Sequence, residues 1–384
     1  MENMTRKKSK IASWFALCPA AHIIALLSAA VIALHLALRG DHTLMARISE
    51  NAVRPIHAAL ALLNSHVGFS VAEVLIVITA AAVLARLVYG LVRLLRGKSS
   101  LRRAYRLVMG LAALALAVYA GFSLLWGVYY YGDDFMAKSG LDSSPVSTEQ
   151  LETVTEYFAR LANRYGDEVE RNADGFYVCD RDAILARSLS LFDNTVGDFP
   201  CLYGPRVAAK GVWLSRGMSY IDFTGFFFPF TGEANVNTDF PLGLFASTVA
   251  HELSHQRGVA KEQEANFVAV LASLRSGDAD FCYSAAVLAY VHLGNALYSA
   301  DHAAWERVYG TLSDGVKRDL ALNNAYWRQF ETPVQSVSNT VYEGFLHSYD
   351  QTLGLKSYGA CVDLLVNYYY GDAEKSVNEG NNDE

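Results

Sequence analysis

Three long apolar runs dominate the first third of the chain, and then the pattern changes. Residues 11–38 and 107–129 carry no Asp, Glu, Lys or Arg, and residues 67–92 carry only Glu73 and Arg86. Each run exceeds the roughly 20 residues that cross a hydrocarbon core, so three transmembrane helices are predicted. Between the first two, Val53 to Leu63 is apolar but too short to span, and reads as an amphipathic segment along the membrane interface. Trp126, Tyr129, Tyr130 and Tyr131 close the third run as an aromatic belt.

Beyond residue 131 the apolar positions recur at helical spacing instead. Ser147-Thr-Glu-Gln150 is a capping-box signature, and Leu151, Val154, Tyr157, Phe158 and Leu161 follow on one helical face. A further helix is expected over 181–193. Residues 203–238 are rich in Gly, Pro and aromatics, which predicts short strands at 212–214, 220–223 and 225–230; Pro229 makes the last an edge strand. Helical periodicity returns at 282–300, 302–312, 316–329, 335–353 and 357–370. Residues 372–384 are polar and acidic, and are expected to be disordered. The fold class is therefore mainly α. A membrane domain spans 1–131, and a mostly helical α+β domain with a small sheet spans 132–371.

Charge sharpens this division. Residues 1–131 carry 14 Lys/Arg against 4 Asp/Glu, and residues 132–384 carry 18 against 35, for net charges of +10 and −17. A basic, apolar front and an acidic rear suit a bilayer followed by a water-soluble domain. They disfavour nucleic acid, whose phosphates need a basic surface. The basic segments, the N-terminus and residues 93–106, should be cytoplasmic, which sends everything after residue 131 out of the cytoplasm. Four of the five cysteines (Cys179, Cys201, Cys282 and Cys361) fall in that exported part; pairs 179–201 and 282–361 are the favoured disulfides there.

The chemistry concentrates in His251-Glu-Leu-Ser-His255-Gln-Arg-Gly258, followed by Glu262-Gln-Glu264-Ala-Asn266-Phe267. Two His four residues apart share a helix face and can present both imidazoles to one Zn²⁺, with Glu252 placed as general base toward water. Asp239 is expected to cap the motif helix, Pro241 to lie in its first turn, and Gly258 to end it. The second helix begins near Lys261, and its acidic first turn can supply a third ligand. Glu264 is the choice and Glu262 the rival; they lie about 200° apart around a helix, so both cannot face one ion. Asn266 is a candidate for orienting a ligand, and Tyr358 for stabilising an oxyanion. His22, His35, Glu73, His292, His302 and His347 read as structural.

The pieces WGVYYY (126–131), FPFTGEANVN (228–237), HELSHQRGVAKEQEANF (251–267) and GLKSYG (354–359) resemble a bacterial membrane-protein family of unknown function with three N-terminal spans and an HExxHQxG-type motif. The EANF run is also similar to the glutamate-bearing helix of gluzincin zinc peptidases. That resemblance implies a zincin-like domain and points to Glu264 as third ligand. Lys261 stands where a metzincin would need His. The expected activity is zinc-dependent hydrolysis of a peptide or protein substrate. A non-catalytic metal- or peptide-binding sensor and a cell-wall amidase are the alternatives.

Overall fold

The computed structural model describes residues 12–95, 100–351 and 358–380. Contacts divide the chain into two units: residues up to 53 together with 71–132, and residues 54–70 together with 133 onward. The first unit holds three helices long and apolar enough to cross a membrane. These are α1 (Pro19–Leu38), α4 (Val71–Leu95) and α5 (Ser100–Leu125), with the short α2 (His42–Ile48) between the first two. Pro19 starts α1, where its missing N–H costs nothing. The third helix begins earlier than the apolar run because Arg102, Arg103 and Arg106 are good helix formers. The basic residues Arg6, Lys7, Lys8, Lys10, Arg96 and Lys98 lie outside the described residues.

The second unit begins inside what the sequence assigned to the membrane domain. Helix α3 (Arg54–Ser65) belongs to it. Arg54 donates to the carbonyls of Cys201 and Tyr203, and Asn64 donates to the Thr231 carbonyl. After α6 (Phe135–Ser139), α7 (Thr148–Glu168) starts at the expected capping box, with Ser147 and Gln150 bonding each other's backbone N–H. Helix α8 (Arg181–Arg187) is shorter than expected and gives way to a 3-10 turn at Ser188–Ser190.

The sheet has three strands in the order β1-β3-β2: β1 (Lys210–Val212), β2 (Gly225–Phe228) and β3 (Glu233–Asn237). Strand β1 runs parallel to β3, and β2 runs antiparallel to it with Gly225 opposite Val236. The expected strand at 220–223 is instead the end of helix α9 (Ser215–Tyr220) and a turn with Asp222 at φ 64°. Along β3, Ala234 and Val236 join the core, while Glu233 and Asn235 face the other way. Those polar groups are satisfied: Lys210 pairs with Glu233 at 2.6 Å, and Ser70 donates to Asn235 at 2.6 Å.

The remaining helices are α10 (Phe245–Gln256), α11 (Glu262–Ser276), α12 (Ala279–Ala300), α13 (His302–Thr311), α14 (Asp314–Arg328), α15 (Pro333–Ser348) and α16 (Tyr358–Gly380). Helices α7, α10, α11, α12 and α16 enclose one apolar core around Phe158, Phe245, Phe267 and Phe281. Behind it, the Asp319 carboxylate accepts from Arg171, from the Tyr283 hydroxyl and from the Tyr177 N–H. Helix α16 runs through residues expected to be a disordered tail, because Tyr369 and Ala373 are buried in the core.

All five cysteines are free thiols, so neither expected disulfide forms. The Cys282 thiol instead points at the Ser273 and Leu274 carbonyls, and Cys361 is buried where desolvation pushes its thiol up to about 12. Residues 354–357 and the Tyr358 side chain lie outside the described residues.

Candidate metal centre

The motif helix starts differently from the sequence expectation. Pro241 leads into a 3-10 turn at Leu242–Leu244, and α10 follows from Phe245. Asp239 is no cap: its carboxylate accepts from Arg216 and from the Tyr326 hydroxyl. Ala246, Val249, Ala250 and Leu253 bury one face of α10 against the core, which turns His251 and His255 to the other. Gly258, at φ 85°, closes the helix with its N–H on the His255 carbonyl. That turn brings the Val259 carbonyl to 2.7 Å from His255 Nδ1.

Three groups converge here. His251 Nε2 lies 3.1 Å and His255 Nε2 3.5 Å from Glu262 Oε2. Among the described residues, His251, His255 and Glu262 form a group whose ligand atoms all lie within 4.8 Å of one another. Roughly 2.0–2.1 Å bonds in a tetrahedral arrangement put neighbouring ligand atoms about 3.4 Å apart, so the donor set fits a zinc ion.

Hydrogen bonding behind the imidazoles strengthens the fit. His251 Nδ1 meets Asn266 Oδ1 at 2.8 Å, and His255 Nδ1 meets the Val259 carbonyl. Both partners accept, so each Nδ1 carries its proton and each Nε2 turns a lone pair toward the Glu262 carboxylate. Lone pairs against a carboxylate repel unless a cation lies between them. Without a metal, a proton fills that role. Burial alone would lower His255, but Glu262 outweighs it and raises the imidazole to about 9, while the two His hold Glu262 well below the usual carboxylate range. The second Glu262 oxygen accepts from the Tyr342 hydroxyl on α15 at 3.0 Å.

The structure therefore places Glu262, not Glu264, beside the imidazoles. Glu264 is fully buried on another side of α11, where its oxygens accept the N–H groups of Phe135 and Met136 at 3.0 and 3.3 Å. It fixes the first turn of α6, with Lys261 paired to Asp134 alongside. Two residues of helix separate the two carboxylates by more than half a turn, and only Glu262 shares a face with Asn266.

Glu252 is buried one residue beyond His251, and its Oε2 has no hydrogen-bond partner among the described residues. Burial raises its carboxyl to about 7 against the pull of the two His. Strand β2 presses on it: a Cβ at Gly225 would lie 2.6 Å from Glu252 Cγ. Of the other histidines, His292 is buried on α12 outside the cluster, and His302 and His347 are exposed beside Glu306 and Glu343.

A model described as "Protein of unknown function (DUF3810)" matches residues 49–366. The chain belongs to the DUF3810 family. No curated protein and no solved structure matches it. The DUF3810 match covers α3 as well as the motif helices, so α3 is part of the family's shared unit.

Proposed function

We propose that this chain is a membrane-anchored, zinc-dependent hydrolase acting on peptide bonds, with His251, His255 and Glu262 as metal ligands and Glu252 as general base. The observation that carries this reading is the convergence of both Nε2 atoms on Glu262 Oε2, with each Nδ1 atom held by an oxygen elsewhere. Zinc held there would supply Lewis acidity, lowering the pKa of water toward about 7 and polarising a carbonyl. Glu252, poised near neutrality and with a free carboxylate oxygen, would take the proton from the attacking water and deliver it to the leaving amine. Among the described residues β2 has a paired strand, β3, on one side only, and its Gly225 lies against Glu252. An extended peptide adding to that edge would bring a backbone carbonyl close to the base. The basic N-terminus and the 93–106 segment support a cytoplasmic N-terminus in a bacterial cell membrane, with the hydrolase outside.

Metal content of the purified full chain tests the ligand set. Wild type and Glu264→Gln should carry about one zinc per chain, and Glu262→Ala should lose it. Zinc retained in Glu262→Ala would reject the set. Glu252→Gln should keep zinc and lose hydrolysis of a peptide library; full activity in that variant would remove Glu252 as the base.

A further inference from the structure

Helix α3 is amphipathic in an unusual sense. Its inner face buries His57 and Ala61 and half-buries Asn64, while Ile56, Leu62 and Leu63 on the outer face are 45, 50 and 67% exposed. No charge occurs from residue 55 to 63. Both ends are strapped to the sheet region, by Arg54 to residues 201 and 203 and by Lys210, which donates to the carbonyls of Asn64 and Phe69. The apolar stripe is therefore held outward by fixed polar contacts on its inner side. It continues beyond the helix: the Phe69 and Trp213 rings lie 5.6 Å apart, and Trp213 and Leu214 are 73 and 58% exposed.

We propose that this composite face, the outer side of α3 with Phe69, Trp213 and Leu214, is a bilayer-docking surface that seats the second unit on the lipid interface. An apolar patch of this kind on a water-soluble surface marks an interaction site. The covalent chain selects lipid as its occupant. Ser70 is bonded to Val71, the first residue of a membrane-crossing helix, so Phe69 is two residues from the start of a span. Leu63 is eight residues from it, within at most about 29 Å of extended chain. A surface tethered so closely to a bilayer meets lipid at an effective concentration that no free protein partner matches. The residue types agree: Trp and Phe sit at headgroup level, and an uncharged aliphatic stripe sinks below it.

The test uses the full chain in zwitterionic phosphatidylcholine vesicles. Leu63→Cys, Trp213→Cys and, as an exposed control on α13, Glu306→Cys are spin-labelled; wild type carried through the same labelling sets the background from the native thiols. Collisions with lipid-soluble oxygen and with a water-soluble nickel chelate are then compared. The ratio of oxygen to nickel accessibility should be severalfold higher at 63 and 213 than at 306. Aqueous values at either 63 or 213 would overturn the composite face. Dipolar broadening between labels at position 63 of different molecules would also overturn it, assigning the face to a second copy of the chain.

Discussion

In the proposed centre, His251 and His255 would serve as ligands only because something else holds their Nδ1 protons. Asn266 does this for His251 from four residues beyond Glu262 on the same face of α11. Removing it frees the ring to rotate and lets the tautomer exchange. Asn266→Ala should weaken zinc affinity by about 10- to 100-fold with little change in fold, as for other groups that orient metal-binding His. Competition with a fluorescent chelator, beside circular dichroism, checks both halves; unchanged affinity would show that the Asn266 contact does not position the ligand. For His255 Nδ1, the Val259 carbonyl delivered by the Gly258 turn does the same work.

At the scale of elements, the β2–β3 turn couples α3 to the motif helix. Gly232, at φ 68°, accepts from Gln256 through its carbonyl, and a Cβ there would lie 2.5 Å from the His57 carbonyl oxygen and 2.9 Å from the Ala61 nitrogen. Backbone cannot yield as a side chain can. Gly232→Ala should therefore destabilise the folded chain by about 1–3 kcal/mol, from the left-handed conformation and the forced separation of α3. Chemical denaturation in detergent measures it, and an unchanged midpoint would mean that α3 is not packed on the turn. Much of this architecture was legible in the sequence. Uninterrupted apolar length marked the spans, Ser147 and Gln150 marked the start of α7, and the aromatic run from Gly225 marked β2, an edge strand that ends at Phe228, before Pro229. What failed was rotational phase. Either acid of the 262 and 264 pair suited the chemistry and the EANF resemblance favoured Glu264, whereas the four-residue relation of Glu262 to Asn266 sets Glu262 on the imidazole side. Tertiary competition explains the rest. Asp239 finds Arg216 and Tyr326 rather than a helix end, and α3 sets its polar side against the sheet where hydropathy alone suggested only a membrane segment.

For the whole molecule, α3 also brings a titratable group into the fold far from His251, His255 and Glu262 in sequence. His57 is 1% exposed beside the Phe227 ring, and burial lowers its imidazole to about 4 from an ordinary 6.5. The unfolded chain thus takes up a proton near pH 6.5, whereas the folded chain refuses it until near pH 4. The stability contributed by neutral His57 is fully present above about pH 6.5 and is lost progressively as pH falls through that interval, by on the order of 3 kcal/mol. His57→Gln removes the titrating group while keeping a similar volume and polarity. The wild-type chain should lose more stability between pH 7 and pH 4.5 than His57→Gln does, whatever other groups titrate in both. Parallel acid-induced losses in the two proteins, followed by thermal unfolding at fixed detergent, would show that His57 is reached by water. Because α3 lies between two membrane-crossing helices in the chain, an early loss of its packing in acid would release the segment that both straps the sheet and carries the apolar stripe.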